Sequence, residues 1–245
     1  MPASSRYRDP GHLPNRRPGR QPEPAEALPR QRAGMTPQMV GRYPEYDVMR
    51  EMDSWDPTTR DVVEDRLKPS GPLRFFACDE VASAHAFCDT VTAQHHEPRI
   101  PVVAMIDKKY AAGRLDGFRY DDMPEDGETW HRALAGLDAV ARQRYRARFA
   151  DCAADVRHAI CEQFARGELK GGVWDGLNCK RAFSVMMRGV VSAFYSHPWA
   201  WNEIGFGGPA YPRGFMRLGE GVREPFEKPE AVSDDPVREA AAPRT

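Results

Sequence analysis

Phe183-Ser184-Val185-Met186-Met187-Arg188-Gly189-Val190-Val191-Ser192-Ala193-Phe194 is the stretch whose reading decides the fold class. Phe183, Met186, Met187, Val190, Val191 and Phe194 recur at steps of three and four. At 3.6 residues per turn these side chains fall on one apolar stripe, whereas the alternation of a strand would scatter them. Such a stripe is stable only when other elements cover it. Asp175 reads as the N-cap of this helix.

Working outward, the same period returns. Val156, Ile160 and Phe164 mark a helix before it, with Gly171-Gly172 ending that run. Trp130, Ala133, Leu134, Leu137, Val140 and Ala141 mark a longer one. Pro101 opens a helix carrying Val103, Ile106 and Tyr110, with Gly113 near its end. Val81, Ala84, Phe87, Cys88 and Val91 predict a helix of about four turns with His95 and His96 at its C-terminal end. Asp56-Pro57 is a cap followed by proline at the first helical position, opening a helix through Val62, Val63 and Leu67. Asp116 to Gly127 reads as a solvated acidic loop. No alternating run calls for a strand, although Leu73 to Ala77 is apolar enough to be extended. The expectation is an all-α fold, a single helical bundle of about five or six helices joined by short links. A long aromatic and Gly-rich C-terminal loop follows the bundle.

Residues 1–42 hold Pro, Arg, Gly and Ser with almost no aliphatics and read as a disordered tail. Its eight arginines face only Asp9, Glu23 and Glu26. Residues 43–218 carry the helical domain, and 219–245 read as a second, acidic, disordered tail. Met35 offers an alternative start. A formal charge of -1 gives no electrostatic case for nucleic acid or for an anionic membrane. The apolar runs fall far short of the roughly 20 residues that span a bilayer. The first thirty residues lack an apolar segment, and Arg16-Arg17 runs into Pro18-Gly19-Arg20-Gln21-Pro22 where an export signal needs one. The expected compartment is therefore the cytoplasm, or the periplasm if the chain is exported with a partner. Five cysteines without C-x-x-C suggest buried free thiols rather than zinc or a redox dithiol.

Two pairs have the Glu-x-x-His spacing that sends a carboxylate and an imidazole from one helix face toward a metal: Glu128 with His131, and Asp155 with His158. Together they form the enzyme or metal-carrier alternative, a stand-alone metal-binding bundle. The bridging glutamates of a di-iron centre are missing from the other apolar stripes, so the leading expectation has no metal. His95-His96-Glu97 point apart on a helix and suit a cap or a surface. Asp121-Asp122-Met123-Pro124-Glu125-Asp126-Gly127 lacks the ligand spacing of a calcium loop. Gly205-Phe206-Gly207-Gly208-Pro209-Ala210 satisfies G-x-G-x-x-A but follows a helix and runs into prolines, the wrong context for a dinucleotide. No G-x-S-x-G, H-E-x-x-H or P-loop is present.

The segment His197 to Pro212 carries too many aromatics for an ordinary solvated loop. Trp and Tyr join large apolar area to a polar tip, as partner interfaces require. Trp199, Trp201, Asn202, Phe206, Gly207, Gly208 and Tyr211 are the candidate interface. The alternative is that the segment folds back over its own bundle, and different residues can serve each role.

Gly189-Val190-Val191-Ser192-Ala193-Phe194-Tyr195-Ser196-His197-Pro198, then Trp201-Asn202-Glu203-Ile204-Gly205 and Gly207-Gly208-Pro209, resemble the C-terminal signature of gluconate 2-dehydrogenase subunit 3 proteins. Ala86-Phe87-Cys88-Asp89 and Pro101 to Asp107 resemble that family's first helices, and the resemblance runs from about Arg42 to Leu218. It implies a small accessory subunit of a flavoprotein dehydrogenase of the glucose-methanol-choline type, often accompanied by a cytochrome c subunit. Such a subunit assists the maturation, export or stability of its partner. FAD and catalysis then belong to the partner, and this chain binds no cofactor of its own. Twin-arginine export signals are frequent in that family; the pair here lacks the apolar segment, so a periplasmic location is not carried over.

Overall fold

A computed structural model describes residues 46–68, 71–95, 97–216 and 224–227. The expected tail at 1–42, with Arg16, Arg17 and Met35, lies outside the described residues, as do His96 and most of 219–245. The protein is all-α: seven α-helices and three 3₁₀ helices occur among the described residues, with no strand. The chain divides into two compact units, one spanning Pro69–Tyr195 and the other joining Met1–Lys68 to Ser196–Thr245.

The Pro69–Tyr195 unit holds α2 (Val81–Val91), α3 (Val102–Ala111), α4 (Asp126–Tyr145), α5 (Ala154–Arg166) and α6 (Cys179–Phe194). Helix α6 packs on α3, α4 and α5, while α2 packs on α5, α3 and α4. Phe87, Trp130 and Phe164 are fully buried among them, with ring centroids 6.1 Å apart for Phe87 with either partner. Burial of each such side chain contributes about 1.5–3 kcal/mol. Helix α6 does not bury the whole expected stripe. Met186, Val190 and Phe194 of that stripe are buried and Val191 is exposed, while Ala182, Val185, Gly189 and Ala193 also face inward. The buried face is wider than the stripe because α6 packs on three helices, and Gly189 leaves room for the Trp130 indole at 3.5 Å from where a Cβ would stand.

Several boundaries differ from the sequence expectation, each for a local reason. Helix α2 runs three turns and stops at Val91; Ala93 adopts φ 54°, and the Gln94 side chain exchanges hydrogen bonds with the backbone of Ile100 at 2.6 and 3.2 Å, leaving His95 outside the helix. Helix α5 ends at Gly167, whose φ of 75° suits glycine, rather than at Gly171-Gly172. Asn178, not Asp175, caps α6 by accepting from the Arg181 amide at 3.2 Å. Asp175 instead closes the 3₁₀ helix Gly172–Asp175 and accepts from the Gly171 amide. The acidic loop ends at Glu125, since Asp126 is already in α4 and buried.

Two buried carboxylates tie the irregular segments down. Asp107 on α3 accepts from the backbone amides of Arg74, Phe75 and Phe76 at 2.8–3.1 Å, which holds the apolar stretch 73–77 as a bend rather than a strand. Asp138 on α4 accepts from Ser83 Oγ at 2.7 Å and from the Phe149 amide at 3.0 Å, joining α2 to the 3₁₀ helix Phe149–Asp151. Close approach decides one glycine: a Cβ on Gly136 would stand 2.5 Å from the Trp174 ring. All five cysteines are free, with Cys78 exposed and the others buried; burial pushes the Cys161 thiol up to about 12.

The other unit contains the 3₁₀ helix Val48–Ser54, α1 (Pro57–Leu67) and α7 (Pro198–Ile204). Asp56 caps α1 by accepting from the Thr59 amide at 2.9 Å, with Pro57 behind it, as the sequence predicts. Helix α7 packs on α1 and on the 3₁₀ helix, and the core it completes is Val48, Met49, Met52, Trp55, Val63, Leu67 and Trp201. The expected C-terminal loop therefore begins as a helix with an inward face.

Candidate partner-binding surface

His197-Pro198 opens α7 as Asp56-Pro57 opens α1, with an acceptor side chain at the cap and proline at the first helical position. The His197 ring accepts from the Trp199 amide through Nδ1 at 3.2 Å and hydrogen-bonds to the backbone of Arg66. It is 1% exposed, and burial, opposed in part by that bond, pushes its pKa down to about 3. The ring is neutral at ordinary pH. Arg66 donates to the Ser196 carbonyl at 2.8 Å and lies over the Trp201 ring at 5.6 Å, so the end of α1 grips the start of α7.

Asn202 is buried, and its Oδ1 accepts from the Val48 amide at 2.7 Å. This satisfies a donor at the start of a 3₁₀ helix that no intrahelical carbonyl reaches. Gly205 closes α7 in the left-handed region at φ 68°. Gly208, at φ 75°, approaches so closely that a Cβ would stand 2.6 Å from the Trp55 ring and 3.0 Å from Val48. Gly207 is buried against Phe226, a residue inside the segment read as an acidic tail, where Glu224–Glu227 is described as a turn. Arg213, its side chain 1% exposed, donates to Glu51 at 3.0 Å, to Ser54 Oγ at 2.9 Å and to the Gly207 carbonyl, with its guanidinium over the Phe226 ring.

The candidate interface residues thus part into two groups. Trp201, Asn202, Gly207 and Gly208 are inside this unit, and Trp199 is half-buried against its core. Phe206 and Tyr211 are exposed at 42% and 47%. Ile204, Phe215 and Met216 are exposed beside them in sequence, and sequence reasoning missed all three. Spacing gave no signal for Ile204: three positions after Trp201 it falls on the same side of the helix, and the sequence alone would turn it inward. The G-x-G-x-x-A glycines serve packing, with Gly207 and Gly208 set against Phe226 and Trp55.

The residues of the metal alternative are engaged elsewhere. His131 Nδ1 donates to the Glu80 carboxylate, 2.8 Å from both oxygens, and its ring stacks on Phe75 at 4.6 Å. Glu128 turns to Arg132. His158 faces Glu162 at 3.9 Å on the exposed side of α5, away from any second helix's ligands, and Asp155 is exposed as well. Among the described residues no three His, Cys, Asp or Glu side chains come together as a metal site. Nor is any described helix long and apolar enough to cross a membrane.

A family model described as Gluconate 2-dehydrogenase subunit 3 matches residues 78–208, over half of the chain. No curated protein and no solved structure matches it.

Proposed function

Since the chain belongs to the gluconate 2-dehydrogenase subunit 3 family, we propose that it is a non-catalytic accessory subunit that docks on a flavin-dependent sugar or alcohol dehydrogenase and stabilises it or assists its maturation or export. In this reading the FAD and the chemistry belong to a flavoprotein partner of the glucose-methanol-choline type, with a cytochrome c subunit as a further member of the complex. The observation that carries it is the surface left by the last helix: Ile204, Phe206, Tyr211 and Phe215 are large, apolar and 42–50% exposed. They are carried by backbone that His197, Asn202, Gly208 and Arg213 hold in place. Rigid aromatic side chains lose little freedom on docking, which is what an interface anchor needs.

The test is to recover the tagged chain from its native host, scan the eluate for flavin absorbance and identify its companions by mass spectrometry. A flavoprotein in stoichiometric amount is expected, and it would name the substrate class. A flavin-free chain eluting alone would overturn the reading.

A further inference from the structure

Residues 114–119, Arg-Leu-Asp-Gly-Phe-Arg, link α3 to the acidic stretch before α4. Asp116, its side chain 31% exposed, pairs with Lys109 of α3 and with Arg188 of α6, the latter at 3.1 Å, and those hydrogen bonds, the Lys109 one foremost, hold its carboxyl below the usual range. The apolar side chains turn outward, Leu115 54% and Phe118 57% exposed. Tyr120 supports Phe118 edge-on at 5.2 Å and is itself covered by the Arg181 guanidinium at 4.9 Å. Arg181 is fixed by Asp122, and Arg188 by Asp126 at 3.0 Å.

The pairing of Asp116 with α3 and α6 holds the loop that carries Leu115 and Phe118 into water. Clamping removes the ordering cost that a free loop would meet on docking. Arg114 and Arg119, which flank the apolar pair, are exposed and have no side-chain partner among the described residues. With Asp116 neutralised, the presented face is therefore apolar at its centre and cationic at its edges. Its complement is an apolar pocket rimmed by carboxylates. An anionic bilayer fits less well, because a broad flat surface would also meet Asp121, Glu125 and Glu128, exposed beyond Tyr120, whereas a pocket that takes only the loop tip need not.

We infer that Leu115 and Phe118, with Arg114 and Arg119 at their edges, form a second docking element, on the Pro69–Tyr195 unit, for an acidic-rimmed pocket of the flavoprotein subunit. This rests on the accessory-subunit reading, and the experiment separates the two. The full chain carrying a photo-cross-linking phenylalanine analogue at position 118, or at position 206, is expressed in the host, irradiated in the intact complex and mapped by mass spectrometry. In parallel, Leu115→Ser with Phe118→Ser, and Arg114→Glu with Arg119→Glu, are titrated against the isolated flavoprotein subunit. A cross-link from position 118 to the flavoprotein is expected, with affinity falling at least about tenfold for each double variant. The loss in the charge variant shrinks at higher salt, and both variants keep the parent thermal transition. A cross-link from 206 without one from 118, or from 118 to a second copy or to any other protein, overturns this element and leaves the accessory reading standing. Absence of a flavoprotein from the complex overturns both.

Discussion

His197 and Trp199 are joined by a hydrogen bond that only a neutral imidazole can make at a helix start: the ring accepts, at 3.2 Å, from the backbone amide two residues on. Protonation would replace that acceptor with a donor beside the positive end of α7 and place a charge in a site that is 1% exposed.

The pH dependence follows from the sign. The folded pKa, about 3, lies below the ordinary 6.5, so between these values the unfolded chain binds the extra proton. The stability held by the neutral ring is full above pH 6.5 and falls as pH drops toward 3, by up to about 1.4 kcal/mol per unit. Denaturant unfolding followed between pH 7.5 and 5 should lose stability in the parent and lose less in His197→Asn, which keeps an acceptor at the cap but does not titrate. Equal slopes would mean that the imidazole is not the acid-sensitive group.

Gly136→Ala sets two effects against each other. Alanine gains about 1 kcal/mol of helix propensity, but its Cβ would stand 2.5 and 2.7 Å from Trp174 ring atoms. Overpacking of that kind costs typically about 1–3 kcal/mol, so a lower melting temperature is expected. Adding Trp174→Leu should recover part of the loss, and a double-mutant cycle by thermal denaturation reads the coupling.

Asp107→Asn keeps the size of a side chain that accepts from the Arg74, Phe75 and Phe76 amides, but removes its charge and turns one oxygen into a donor. A net loss of about 2 kcal/mol is expected. Hydrogen exchange should accelerate first at the amides of 74–76; uniform acceleration across α3 would instead indicate a general loss of packing.

The aromatic residues after α6 should divide in the same way as their exposure. Phe206→Ser with Tyr211→Ser should shift the melting temperature by no more than about 2 °C, as surface changes do, yet release the flavoprotein in the pull-down. Trp201→Ala, by contrast, removes a side chain at the centre of its unit and should cost about 3–5 kcal/mol. A release seen only with Trp201→Ala would identify the segment as core.

Helix identity was legible wherever the apolar period was long, and Asp56-Pro57 marked its helix start to the residue. Caps were less so: Asp175 and Asn178 both have capping side chains, and a 3₁₀ helix absorbs the first and leaves the second to do the work. The family was legible because the resemblance lay in a specific string from Gly189 to Pro209. What the sequence could not show was which aromatic faces inward, since Trp201 and Phe206 are equally apolar. That choice is made by the segment 46–68, whose contact with α7 joins residues 154 positions apart, Val48 to Asn202. The exposure of Leu115 and Phe118 was hidden likewise, because the loop that carries them is held by Asp116 pairing with Lys109 and Arg188, from two helices.

The pairing of Val48 with Asn202 also orders events on the ribosome. Val48, Trp55 and Val63 leave the exit tunnel while the helix that covers them is still untranslated; at 5–20 residues per second the wait is roughly 8–30 s. The residues from Pro69 to Tyr195 emerge during that interval, so Val48, Trp55 and Val63 wait for a partner helix made after a whole other unit. Chains truncated anywhere before Trp201 are released with that segment uncovered.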